Sequence, residues 1–220
     1  VSNTGTFGSD VTGVGTARAE ARGLEYGGDK VIIAFGYTDP SYANVNTINL
    51  VSNAGVVASD STGNGTARSG PGSTGYGEDL GIFAYGGAGG VVSMSNLVSN
   101  TGVVANDVTG VGTARAGCKA ARYGADTALF FGGNAPGSPN MTNLVTNLGV
   151  IGSDVSGVYQ NRTDYATTRY GGDKAIIGFG YADVGISGVT NLVNNSGVVQ
   201  SDTDAVGTAR YSVDANGFGN

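Results

Sequence analysis

One register, repeated five times, constrains this chain more than any other feature. An asparagine is followed seven residues on by an aspartate, eight further on by an arginine, and eight beyond that by an aromatic. Asn3, Asp10, Arg18 and Tyr26 recur as Asn53, Asp60, Arg68 and Tyr76, then as Asn100, Asp107, Arg115 and Tyr123. The fourth copy is Asn147, Asp154, Arg162 and Tyr170, and the fifth is Asn195, Asp202, Arg210 and Phe218. The arginines stand 50, 47, 47 and 48 residues apart. A period of that size belongs to arrays of supersecondary units, each too small to bury its own apolar face.

Each unit reads as four short strands. The first ends at the aromatic. A YGGD-type turn (Gly27-Gly28-Asp29, Gly171-Gly172-Asp173) leads into an apolar run such as VIIAFGY (31–37) or AIIGFGY (175–181). Runs this apolar and β-branched suit a strand buried on both faces. The third strand is NLVS, the Asn-x-Gly after it is a tight turn, and GVVASD is the expected fourth. All variation in length falls between the YGGD aspartate and the next NLV, where the gap is 20, 17, 17 or 18 residues. Four antiparallel strands in 47–50 residues predict a blade of a β-propeller. The expected fold is therefore all-β, a single repeat domain over 1–220 with five blades: a partial blade at 1–18, blades at 19–68, 69–115, 116–162 and 163–210, and 211–220 supplying the first strand of the partial blade.

The unit resembles a degenerate kelch repeat, with Gly86-Gly87 and Gly132-Gly133 closing the second strand and Gly36-Tyr37 and Gly180-Tyr181 in their place elsewhere. It departs from that family in having no tryptophan. The GTAR and YGGDKAIIGFGY segments are also similar to repeats in proteins of marine bacteriophages, which implies a component of a virus-like particle.

Composition narrows the chemistry. No histidine is present, which removes the commonest acid–base group, the His-based nucleophile dyads and the usual zinc ligands. Cys118 is alone, so no intrachain disulfide framework exists. A net charge of −6 argues against nucleic acid as partner, and no run of about 18 apolar residues marks a membrane span. Only 13% of residues are charged, which suits an extracellular or particle-borne protein. Val1 in place of a methionine, with no secretory signal behind it, suggests a processed product or part of something longer. The aspartates of SDTD (201–204) and of the YGGD turns read as turn residues that bond their own backbone, and no cofactor or metal is expected.

The loop SDSTGNGTAR (59–68) poses the sharpest question. Its glycines and Arg68 could cradle an anion or a sugar. They could equally form a strut in which the aspartate takes loop N–H groups and the arginine forks onto carboxylate or carbonyl oxygens. In the fourth copy TGVGTAR becomes SGVYQNR, bringing in Tyr159 and Gln160 while Asp154 and Arg162 stay. A nest needing close backbone approach would not tolerate that change, and a strut would. The expected interblade pairs are therefore Asp10, Arg18, Asp60, Arg68, Asp107, Arg115, Asp154, Arg162, Asp202 and Arg210. The Arg loops and the length-variable loops should share one rim, with Tyr37, Tyr42, Asn134, Tyr159 and Tyr181 as candidate contact residues. The expected function is non-enzymatic: a structural or recognition component of a virion, in a phage tail, fibre or capsid, binding a protein neighbour or a host surface. A free lectin-like propeller binding glycans is the alternative, and a homo-oligomer is compatible with either.

Overall fold

A computed structural model describes residues 6, 8–135 and 140–217. Val1, Asn3, Phe218 and Asn220, on which the expected fifth unit partly rests, lie outside the described residues, as does part of the third variable loop. The described chain is all-β, built of small antiparallel sheets, with no helix.

Four units carry the same sheet. In the first, Arg22–Tyr26 pairs with Lys30–Ala34, which pairs with Thr47–Val51, which pairs with Ser61–Thr62. The third repeats this with Lys119–Tyr123, Thr127–Phe131, Met141–Val145 and Val155–Ser156. The second has Gly72–Tyr76, Leu80–Ala84 and Ser95–Val98, and the fourth has Ala166–Tyr170, Lys174–Gly178 and Thr190–Val193. Single bridges, Ser95 to Val108 and Thr190 to Thr203, stand where those two units would have a fourth strand.

The expected fourth strand, GVVASD, is not a continuous ladder. After the turn only one residue bridges back (Val57 to Val51, and likewise Val104, Ile151 and Val199), and pairing resumes beyond the aspartate. The carboxylate occupies the interruption, because Asp60 is held by the side chain of Asn49 on the third strand.

Second strands are buried on both faces in the middle units, as in Ile82–Ala84 and Ala128–Phe131, but alternate in the first. The reason is stacking. Each core lies between consecutive units: Leu24, Ile32 and Phe35 against Phe83, Val98 and Val104; then Tyr76, Ile82 and Tyr85 against Phe130 and Val145; then Tyr123, Leu129 and Phe131 against Tyr165, Ile177 and Val193. Phe35 meets Phe83 edge-on at 5.2 Å and Tyr85 meets Phe130 at 5.4 Å. Burying a side chain of this size stabilises by about 2 kcal/mol. Tyr26, Tyr76 and Tyr123, which end the first strands of the first three units, pack beneath the turn of the next unit, whereas Tyr170 is exposed. A Cβ on Gly102 would lie 2.9 Å from the Tyr26 ring, and Gly149 and Gly197 stand against Tyr76 and Tyr123 in the same way.

Backbone hydrogen bonds lace the units at both ends of the first strands. At the turn end, Gly27, Gly77 and Gly124 N–H donate to the carbonyls of Asp79, Asp126 and Asp173 of the following unit, at 2.6–2.7 Å. At the other end, Gly70 N–H donates to Glu20, Gly117 to Gly70 and Ser212 to Asp164. Glu20, Gly70, Gly117, Asp164 and Ser212 each stand two residues after a repeat arginine, and all have positive φ, between 53° and 68°. Three adjoining cavities of about 360, 350 and 440 Å³ run end to end along these strands, lined by residues from all four units and from 212–217. Among the described residues, no helix is long and apolar enough to cross a membrane.

Candidate functional site: the arginine joints and the loop rim

The loop SDSTGNGTAR does hold an anion, and that anion belongs to the chain itself. Thr66 N–H and hydroxyl both donate to Asp107, at 3.1 and 2.5 Å. Thr16 holds Asp60 in the same two-point grip at 2.9 and 2.7 Å, and Thr113 holds Asp154 at 2.9 and 2.8 Å. Gln160 N–H holds Asp202 at 3.1 Å, while its side-chain oxygen accepts from Ser187. The substitution in the fourth loop is tolerated because the essential donor is a backbone N–H.

The pairing within each joint differs from the eight-residue spacing. Each arginine meets the aspartate of the next copy: Arg68 with Asp107, Arg115 with Asp154 and Arg162 with Asp202, all at 3.9 Å. An extended chain carries residues eight apart more than 20 Å from each other, whereas the antiparallel sheet brings its last strand back to its entry loop. At 3.9 Å the charges do not share a hydrogen bond. An asparagine joins them. Asn143 donates to Asp154 at 2.9 Å and accepts from Arg115 Nη2 at 2.6 Å; Asn49 links Asp60 to Arg18, and Asn191 links Asp202 to Arg162. Asn96 donates to Asp107 at 2.9 Å. These asparagines open the NLV of each third strand, where the pattern reads only as strand. Their recurrence eleven residues before each aspartate was the available signal.

Three of the repeat arginines, two of them buried, also lie over an aromatic ring of the preceding unit. Arg68 lies 4.0 Å over the Phe35 ring, Arg115 3.8 Å over Tyr85 and Arg210 3.7 Å over Phe179. Each ring sits at φ near 64°, and the glycine after it donates to the arginine's own carbonyl: Gly36 to Arg68, Gly86 to Arg115, Gly180 to Arg210. The fixed residue closing the second strand is thus Gly36, Gly86, Gly133 and Gly180, at φ 105–112°, and Gly132 stands in the ring position. Arg68, Arg115 and Arg162 are fully buried. Burial pushes Arg68 down to about 10, and the charge of Asp107 limits the fall. Bonds from Thr16 and then Asn49 hold Asp60 below the ordinary carboxylate value. For Asp107 and Asp154 desolvation pulls upward and is outweighed by the threonine and asparagine bonds, leaving both lowered. Asp10 and Arg210 are exposed, and no ion pair joins them among the described residues.

Tyr159 does not belong to the rim. It is 3% exposed and stacks on Phe131 at 4.2 Å. The physical reason is Gly132, which leaves the interface between the third and fourth units without the ring that Phe35 and Tyr85 supply elsewhere. Tyr159 and Tyr165 fill that space: a Cβ on Gly132 would lie 2.9 Å from Tyr165 Oη, which donates to the Phe131 carbonyl.

Tyr37, Asn134 and Tyr181 occupy one repeated position, each paired with the residue just after an arginine: Ala19, Ala116 and Thr163. The variable loops and the arginine loops therefore meet at one edge. Two tyrosine pairs stand there, Tyr37 with Tyr42 at 5.5 Å and Tyr181 with Tyr211 at 5.9 Å. Tyr42 is 70% and Tyr181 51% exposed. The YGGD aspartates accept from the Asn-x-Gly asparagine of their own unit, as Asp29 does from Asn53 at 2.9 Å. Among the described residues no three His, Cys, Asp or Glu could hold a metal ion. Compared with known families and with curated proteins, the chain matches no family model and no curated sequence.

Proposed function

We propose that the chain is a five-bladed β-propeller acting, without catalysis of its own, as a recognition or structural component that binds a protein neighbour or a host surface through the rim of variable loops. Support for a ring comes from the unit-to-unit backbone bonds at both ends of the first strands and from the equivalent residues of five copies that line one channel. Asp214 adds to it. This residue pairs with Lys119 at 2.7 Å and also feels the charge of Arg22, so the last copy reaches the first unit.

The observation that carries the recognition role is the two tyrosine pairs at the edge where the variable loops meet the arginine loops, with Tyr42, Tyr181 and Tyr211 exposed. Large rings on a rigid frame gain contact area at little entropic cost. The joints support a non-catalytic role, because Asp60, Asp107, Asp154 and Asp202 are each engaged by a loop amide. The resemblance to phage repeats points to a virion as the setting. A free glycan-binding propeller is the second reading, favoured by Tyr42, whose open ring could stack on a sugar face. The test is binding of the purified chain to particle proteins, to host envelopes and to a glycan array, with Tyr42→Ser/Tyr181→Ser beside it. Loss of binding at an unchanged melting temperature is expected. Undiminished binding by the double variant would show that the rim does not carry the binding.

A further inference from the structure

The channel carries charge that the joints do not need. Of eleven lysines and arginines, five are the joint arginines, and Lys30 and Lys174 pair with the turn aspartates beside them. The remaining four, Arg22, Lys119, Arg122 and Arg169, all line the channel. They are unevenly balanced. Toward the rim, Arg22 and Lys119 share their cavity with Glu20, Asp164 and Asp214. At the turn end, Arg122 and Arg169 share theirs with Glu25 alone.

Arg122 and Arg169 stand at the same repeat position, seven residues after their joint arginines. Glu25, Gly75 and Gly217 hold that position in the other copies. Glycine at two of the five shows that the inner strand needs no side chain there. Gly75 gives Arg122 room to lie across the neighbouring strand, its Cδ 3.4 Å from where a Cβ would be. One Nη of Arg122 reaches the Gly77 carbonyl, and one of Arg169 the Gly172 carbonyl. The hydroxyl-bearing Thr74, Thr167 and Thr168 line the same 360 Å³ space. Burial and then the neighbouring charge of Arg169 keep Arg122 below the ordinary arginine value, with Glu25 and Asp126 acting in opposition.

We propose that this turn-end mouth, between Arg122 and Arg169, binds a small oxyanion: phosphate or sulfate, free or as the end group of a larger ligand. Two guanidinium groups on adjacent strands offer a tetrahedral oxyanion several charge-assisted hydrogen bonds, and the bound charge relieves their mutual repulsion. The site lies one strand length from the tyrosine rim and is independent of it.

Titration calorimetry of the full chain with inorganic phosphate, inorganic sulfate and methyl phosphate tests this. Saturable 1:1 binding that weakens with added sodium chloride is expected, with at least a tenfold loss in Arg122→Gly and in Arg169→Gly, residues already present at the equivalent positions. Glu25→Gln, which removes the opposing charge, should tighten binding several-fold. Methyl phosphate binding as tightly as phosphate identifies an end group as the natural ligand, and phosphate binding alone a free ion. No saturable binding, or equal binding by wild type and both glycine variants, would overturn the proposal.

Discussion

At the residue scale the decisive object is a three-part joint of arginine, asparagine and aspartate. The fully buried Arg115 guanidinium is tolerated because the Thr113 carbonyl, Asn143 and the Tyr85 face replace the water it gives up. Arg68→Ala leaves Asp107 without the buried charge that faces it at 3.9 Å and opens a gap over Phe35; chemical denaturation should show a loss of about 3 kcal/mol. Asn143→Ala should be comparably harmful, because it unlinks Arg115 from Asp154. The pH dependence has a definite sign. Asp60, Asp107 and Asp154 are lowered on folding, so their contribution is complete above the ordinary carboxylate value and is lost as pH falls through their lowered values. The melting temperature should be level from about pH 5 to 7 and fall steeply below about pH 4. Asp and Arg were legible in the sequence because charged residues are scarce and these recur without exception. The asparagine was hidden inside an NLV strand signature, and the true partners were hidden because spacing along the chain says nothing about which strand returns to the loop.

Strands one to three could be read from turns and apolar runs, since those signals are local. The fourth could not, because a side chain rather than a ladder holds its middle. At this element scale the interface between the third and fourth units is the informative exception. Position 132 lacks a ring and the fourth unit brings in Tyr159 and Tyr165, so Tyr159, expected as a contact residue of the rim, belongs to a repacked core. Truncating Tyr159 to alanine should cost about 3 kcal/mol, the usual result for removing a buried ring, and should leave rim binding intact. Gly86→Ala should also destabilise, by about 2 kcal/mol, since φ is +112° and a Cβ would sit 2.8 Å from the Ser69 carbonyl oxygen. Both are read by thermal and denaturant melts.

The whole molecule is an array whose units each depend on the next for an aromatic lid, a turn bond and a joint. Such an array leaves an unsatisfied face at each end unless it closes into a ring. In the structure Asp10 and Thr208 are exposed and share no hydrogen bond; by repeat equivalence with Thr16 and Asp60, which hydrogen-bond at 2.7 Å, closure of the ring would bring them together. The direct measurement is disulfide formation in Asp10→Cys/Thr208→Cys, made in a Cys118→Ala background because Ala21 holds the position equivalent to Cys118. Under mild oxidation a closed ring gives a rapid intramolecular disulfide, independent of protein concentration, and a higher melting temperature. Thiols that stay reduced, or that link only between molecules in proportion to concentration, would contradict the ring.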